Sequence, residues 1–134
     1  MSPDKRRVLL VDDEPDILKV ISKRLELSGF EVLLAVDGPD ALAKAKVGHP
    51  DVIILDLMLP GVNGLEVCAE LKADPRYRQI PIIIFTGKGQ EMDERLCREV
   101  GADAYINKSR KSAELIEQIE VLLVRSLQAN PPPS

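Results

Sequence analysis

Asp12, Asp13 and Glu14 stand in a row behind an apolar run, and a fourth acid, Asp56, follows another. Thr86 with Gly87, and Asn107 with Lys108, end two further runs of the same kind. Carboxylates brought close together repel, and the repulsion is relieved by protonation, by an ammonium partner or by a hard divalent cation. A small set of oxygen donors suits Mg²⁺, which prefers octahedral geometry and keeps several waters. An aspartate beside Mg²⁺ and a lysine ammonium is a candidate phosphoryl acceptor, because the two cations neutralise the charge that spreads over the transferring group's oxygens. The Thr86 hydroxyl and the bare backbone of Gly87 offer bonds to a phosphoryl oxygen.

Each residue alone has an ordinary explanation. Acids before a helix are caps and dipole partners, Asp56 is a loop acid, Thr86 a turn residue and Lys108 a solvated lysine. Capping accounts for residues 12–14, yet it gives no reason for Asp56, Thr86 and Lys108 to end other strands of one sheet. The coincidence favours a site.

The elements that must position these residues are legible as apolar runs at 8–11, 32–36, 52–55, 80–85 and, more weakly, 104–106. Continuous apolar runs without polar alternation are what strands buried on both faces of a parallel sheet look like. Helical spacing fills the intervals. The first helix presents Ile17, Leu18, Ile21 and Leu25, with Pro15 in its first turn and Gly29 beyond its end. The second starts near Pro39 and presents Ala41, Leu42 and Ala45, and the third carries Leu65, Cys68 and Leu71 from about Gly64. The fourth has a thin anchor of Met92, Leu96 and Val100. The fifth carries Leu115, Ile116, Ile119, Leu122 and Leu123 and stops before the prolines at 131–133. Five strand and helix alternations with right-handed crossovers give one α/β, doubly wound (βα)5 domain, a parallel five-stranded sheet in the order 2-1-3-4-5. Ligands of such sheets collect beyond the strand carboxyl ends where the winding reverses, between strands 1 and 3.

Length and composition narrow the function. The chain has 134 residues, one domain's worth. Eighteen basic residues against 22 acidic ones give a formal charge of −4, so no basic field serves direct nucleic-acid binding. Cys68 and Cys97 are isolated and His49 is the single histidine, which argues against a zinc site or a disulfide framework. No run approaches the length of a membrane span. A cytoplasmic protein with no membrane association is expected.

The residues Leu10, Val11, Asp12, Asp13, Glu14 and Pro15, then Asp56 through Pro60 to Gly64, then Phe85, Thr86 and Gly87, then Gly101 to Tyr105 with Lys108, carry a family resemblance. Four motifs in order at compatible spacing resemble the CheY-like receiver domain of two-component response regulators, a flavodoxin-like fold, over residues 6–127. The resemblance implies that residues 1–127 are the receiver domain and residues 128–134 a proline-rich tail or the start of a linker. It implies a phosphorelay switch, not an enzyme in its own right, with Asp56 the phosphoacceptor that becomes a 4-aspartylphosphate. Its donor would be a sensor histidine kinase or a histidine phosphotransfer protein. Asp12 and Asp13 would hold Mg²⁺, completed by an Asp56 oxygen, the Met58 carbonyl and waters. Lys108 would pair with the phosphoryl group, Thr86 would move to bond it, and Tyr105 would rotate into the space Thr86 leaves.

The sequence departs from the family where Lys108 is followed by Ser109 in place of a proline in a cis bond. Met58 and Lys88 flank the site where the family varies its dephosphorylation. His49 falls on the opposite rim, as a surface residue. Val121, Val124 and Leu127 add apolar surface to the fifth helix, for docking or for a dimer on phosphorylation, or as a helix end closing on its own core. The partners are a downstream protein target or an output domain outside this chain. An unphosphorylated pseudo-receiver interaction module is the alternative. A haloacid-dehalogenase hydrolase would need Asp-x-Asp-x-Thr after strand 1, and a flavin site would need hydroxyls and glycines where the acids stand.

Overall fold

The computed structural model describes residues 5–87, 91–108 and 112–129. Lys88, residues 109–111 with the bond after Lys108, and the prolines at 131–133 lie outside the described residues, as do the side chains of Met92 and Leu127. The strands are β1 (Arg7–Val11), β2 (Glu31–Ala35), β3 (Val52–Leu55), β4 (Ile82–Thr86) and β5 (Ala104–Asn107). Alternating with them are α1 (Pro15–Leu27), α2 (Gly38–Gly48), α3 (Gly64–Ala73), α4 (Glu91–Glu99) and α5 (Ser112–Ala129). All pairings are parallel and the sheet order is β2-β1-β3-β4-β5, as the alternation of elements implies.

Successive strand residues point to opposite faces, and the sheet accordingly divides its apolar side chains between two cores. Leu9, Val11, Ile53, Leu55 and Ile84 pack with Ala41 and Ala45 of α2, Val67, Cys68 and Leu71 of α3 and Cys97 of α4. Val8, Leu10, Ile54, Ile83 and Phe85 pack with Ile21 and Leu25 of α1 and Leu115, Ile119 and Leu122 of α5. β1, β3 and β4 need apolar residues at nearly every position because both faces are covered.

Two expectations from the apolar pattern are corrected. The run at 32–36 is not buried on both faces: β2 is an edge strand, with Leu34 and Val36 exposed. In α4, Cys97 faces the core in full while Leu96 is 38% exposed. Adjacent apolar side chains at 96 and 97 offer the helix two ways to pack, and the smaller one sits in the cluster that holds Cys68. α4 ends in left-handed Gly101 (φ +97°), whose N–H donates to the Arg98 carbonyl. Both cysteines are free and buried, and burial pushes the Cys68 thiol up to about 11, against the opposing pull of the Lys72 ammonium.

Candidate functional site

Register places the site. Val11 of β1 pairs with Leu55 of β3, so the next residues, Asp12 and Asp56, leave neighbouring strands side by side. The Asp56 N–H donates to the Val11 carbonyl at 3.1 Å, which extends the ladder to the acid itself. β4 lies against β3 and ends in Thr86, whose register partner on β5 is Asn107. The Lys108 N–H then donates to the Thr86 carbonyl at 2.8 Å. Four strand ends therefore deliver Asp12, Asp56, Thr86 and Lys108 to one rim, at the point where the winding reverses.

The backbone behind Asp56 is fixed by a close approach. A β-carbon at Gly64 would stand 2.2 Å from the Asp56 carbonyl oxygen, so only glycine lets α3 start there. The Gly64 N–H donates to the Leu57 carbonyl at 2.9 Å, and Asn63 caps α3 by accepting from the Glu66 N–H.

Lys108 is the hub of the charges. Its Nζ lies 2.7 Å from Asp12 Oδ2, 3.0 Å from Asp56 Oδ2 and 3.1 Å from Glu14 Oε1. The other oxygens of the two buried acids are also engaged: Asp12 Oδ1 accepts from the Glu14 N–H at 2.9 Å and Asp56 Oδ1 from the Met58 N–H at 3.3 Å. Burial pushes the Asp12 carboxyl above its ordinary value, and the Asp56 charge adds to this against the bonds from Lys108 and the Glu14 N–H. Burial acts to lower the Lys108 pKa, but its bonds to Asp12 and Asp56 and their charges outweigh it and raise it, so the ammonium stays charged. Thr86 is buried, and its Oγ1 has no hydrogen-bond partner among the described residues.

The other expected residues fall around this centre. Asp13 is exposed beside the buried Asp12, and Asp12, Asp13, Glu14 and Asp56 each bring a carboxylate oxygen within 4.8 Å of the others. Such a set of hard oxygen donors, with two members exposed to water, fits an Mg²⁺ ion. The Met58 side chain is exposed above the loop after Asp56. Tyr105 is half-buried in β5, where with Glu94, Cys97, Arg98, Ile106 and Gln118 it lines a cavity of about 240 Å³ between α4, β5 and α5. His49 is exposed and caps α2 in a left-handed conformation, before β3 and so away from the acids. The contact between Glu14 and Lys108, 94 positions apart, had no sequence signal beyond the presence of a third acid in the row.

Fold and rim together define a doubly wound domain with a carboxylate and lysine centre at its switch point. The response regulator receiver domain pattern matches residues 8–120, and the chain belongs to that family, the receiver domains of two-component response regulators. It is 40% identical over 126 residues to the alkaline phosphatase synthesis transcriptional regulatory protein PhoP of Bacillus subtilis (strain 168), covering 94% of this chain and 52% of PhoP. The chain spans about half the length of the curated relatives it matches. Among solved structures it resembles a CheY-like response regulator receiver domain protein from Methanospirillum hungatei JF-1, with 28% identity, 95% of this chain and 100% of that one covered, and a TM-score of 0.89. It also resembles the receiver domain of a sensor histidine kinase from Pseudomonas aeruginosa PAO1, with 31% identity, 89% and 98% coverage and a TM-score of 0.82. That structure has a magnesium ion coordinated in its active site cleft. No helix among the described residues is long and apolar enough to cross a membrane.

Proposed function

We propose that this receiver domain, residues 1–127, is a phosphorylation-dependent switch in which Asp56 accepts a phosphoryl group from the phosphohistidine of a sensor histidine kinase or histidine phosphotransfer protein. The observation that carries the reading is the convergence on one ammonium of two buried carboxylates from neighbouring strand ends, Asp12 and Asp56, at the rim where β4 ends in a buried Thr86 whose hydroxyl has no partner among the described residues. An Asp56 oxygen attacks phosphorus, the phosphorus–nitrogen bond breaks and its electron pair returns to the donor's imidazole ring. The product is an acyl phosphate on Asp56.

Asp12 and Asp13 would hold Mg²⁺ with an Asp56 oxygen and the Met58 carbonyl, and the ion, when bound, supplies positive charge to the phosphoryl oxygens. Lys108 turns from Asp56 Oδ2 to a phosphoryl oxygen, exchanging one anionic acceptor for another. Thr86 swings its hydroxyl to a second oxygen, which satisfies a buried donor that has no bond among the described residues. Tyr105 turns toward the space Thr86 leaves and reshapes the face of α4, β5 and α5. Only such differential bonding moves the equilibrium between two arrangements. The output passes to a downstream protein or to a domain joined through residues 128–134.

Intact mass after incubation with acetyl phosphate, with and without Mg²⁺, tests the reading. The wild type is expected to gain one phosphoryl group only with Mg²⁺, and Asp56→Asn to gain none. A wild type that binds Mg²⁺ but gains nothing would make the chain an unphosphorylated interaction module.

A further inference from the structure

An ammonium has three hydrogens to donate. Lys108 directs its hydrogens to Asp12, Asp56 and Glu14, and the first two acceptors are the buried acids of the centre. In the proposed chemistry both turn elsewhere, Asp12 toward a metal ion and Asp56 toward phosphorus. Glu14 belongs to the same carboxylate cluster, but the proposed chemistry draws its metal bonds from Asp12, Asp13 and Asp56 and leaves the Glu14 carboxylate on the lysine. Its side chain is 60% exposed, and although Glu14 is the N-cap residue of α1, its carboxylate makes no cap bond. Its backbone N–H holds Asp12 Oδ1 at 2.9 Å, so one residue fixes the first acid through its backbone and reaches the lysine through its side chain.

We propose that Glu14 is a positioning residue for Lys108. It keeps the ammonium over the centre while Asp12 and Asp56 exchange partners, so that the charge is in place when the phosphoryl group arrives. The proposal rests on Asp56 being the phosphoacceptor. Because the pair is open to water on the Glu14 side, its contribution is modest, about threefold in rate and not orders of magnitude.

The test combines two readouts on the full 134-residue chain. The first is solvent exchange of the Lys108 ammonium hydrogens by ¹⁵N NMR, without metal or phosphodonor, the resonance being assigned by its loss in Lys108→Arg. Exchange is expected to be slow in the wild type, severalfold faster in Glu14→Ala and intermediate in Glu14→Gln, which keeps an acceptor oxygen without the charge. The second is the rate of phosphoryl incorporation from acetyl phosphate at saturating Mg²⁺. It is expected to fall about threefold in Glu14→Ala and less in Glu14→Gln, with the thermal midpoint unchanged because no cap bond is lost. Equal ammonium exchange in the wild type and Glu14→Ala overturns the proposal, as does an unchanged rate. A rate deficit confined to subsaturating Mg²⁺ also overturns it, since Glu14 would then act through the metal. The ammonium readout requires no phosphoryl transfer, so a wild type inert to acetyl phosphate defeats the phosphoacceptor reading, whereas a phosphorylated wild type with unchanged exchange defeats only the role of Glu14.

Discussion

Thr86 is the residue that the rest of the fold does not explain. It ends β4 among apolar neighbours, buried, with a hydroxyl that finds no partner among the described residues. A buried polar atom left unmade costs roughly 1–3 kcal/mol, and such atoms in native proteins mark sites where something other than stability is served. Thr86→Val keeps the shape and removes the hydroxyl. We expect its thermal stability to rise, by about 1 kcal/mol, and the lifetime or yield of the phosphorylated form to fall; a loss of stability in Thr86→Val would mean that the hydroxyl is bonded after all. Asp12 and Lys108 show the opposite economy, with each buried charge met by the other at 2.7 Å. Their residue types were enough to suggest mutual neutralisation from the sequence, and the strand ends were enough to bring them together. The third partner was not legible: an exposed glutamate beside a helix start looks like any other first-turn acid, and its reach to a lysine 94 positions away depends on the final arrangement of β1, α1 and β5.

At the scale of elements, the rim opposite the site is held by a second lysine. Lys72, near the end of α3, donates from Nζ to Asp103 Oδ2 at 2.8 Å, to the Ile80 carbonyl at 2.9 Å and to the Arg78 carbonyl at 3.1 Å. The same Asp103 oxygen accepts from the Ile82 N–H at 2.8 Å, so the start of β4, the approach to β5 and the connection after α3 close on one ammonium. The Lys72 stem lies where a β-carbon on Gly101 would come within 3.0 Å, which with its positive φ makes glycine the residue that fits. Lys72→Met keeps the stem and deletes the donor. It should destabilise the domain by about 2 kcal/mol, read as a lower urea midpoint, while Mg²⁺-dependent phosphorylation at the other rim keeps its wild-type rate. The apolar pattern identified every strand and helix, because period and punctuation are local signals. It did not distinguish an edge strand from a central one, since β2 is apolar like its neighbours. Its free edge is instead covered from α2, where Lys44 donates to the Leu34 carbonyl and Asp40 accepts from the Val36 N–H. Nor did it decide between Leu96 and Cys97, a choice made by how α4 packs on the cluster containing Cys68.

For the molecule as a whole, the sheet is a rigid frame that sets several weak or costly groups at one rim and leaves the change to their bonding. Four carboxylates share one ammonium there, so negative charge remains in excess and a bound Mg²⁺ ion would favour the folded state, linking ion binding to folding. At ten times its dissociation constant, the ion should add about 1.4 kcal/mol of stability, seen as a higher thermal midpoint in the wild type and a smaller rise in Asp13→Asn. An equal rise in both would place the ion elsewhere. The fold order and the meeting of Asp12, Asp56, Thr86 and Lys108 followed from topology, since strand ends at a switch point have fixed neighbours. What topology does not fix is which oxygen takes phosphorus. Borohydride reduces an aspartyl phosphate to homoserine, so treating the phosphorylated wild type with borohydride and mapping its peptides tests this most directly. Homoserine at position 56 and nowhere else is the expected result; homoserine at position 12 or 13, with Asp56 intact, would contradict the assignment of Asp56 as the phosphoacceptor.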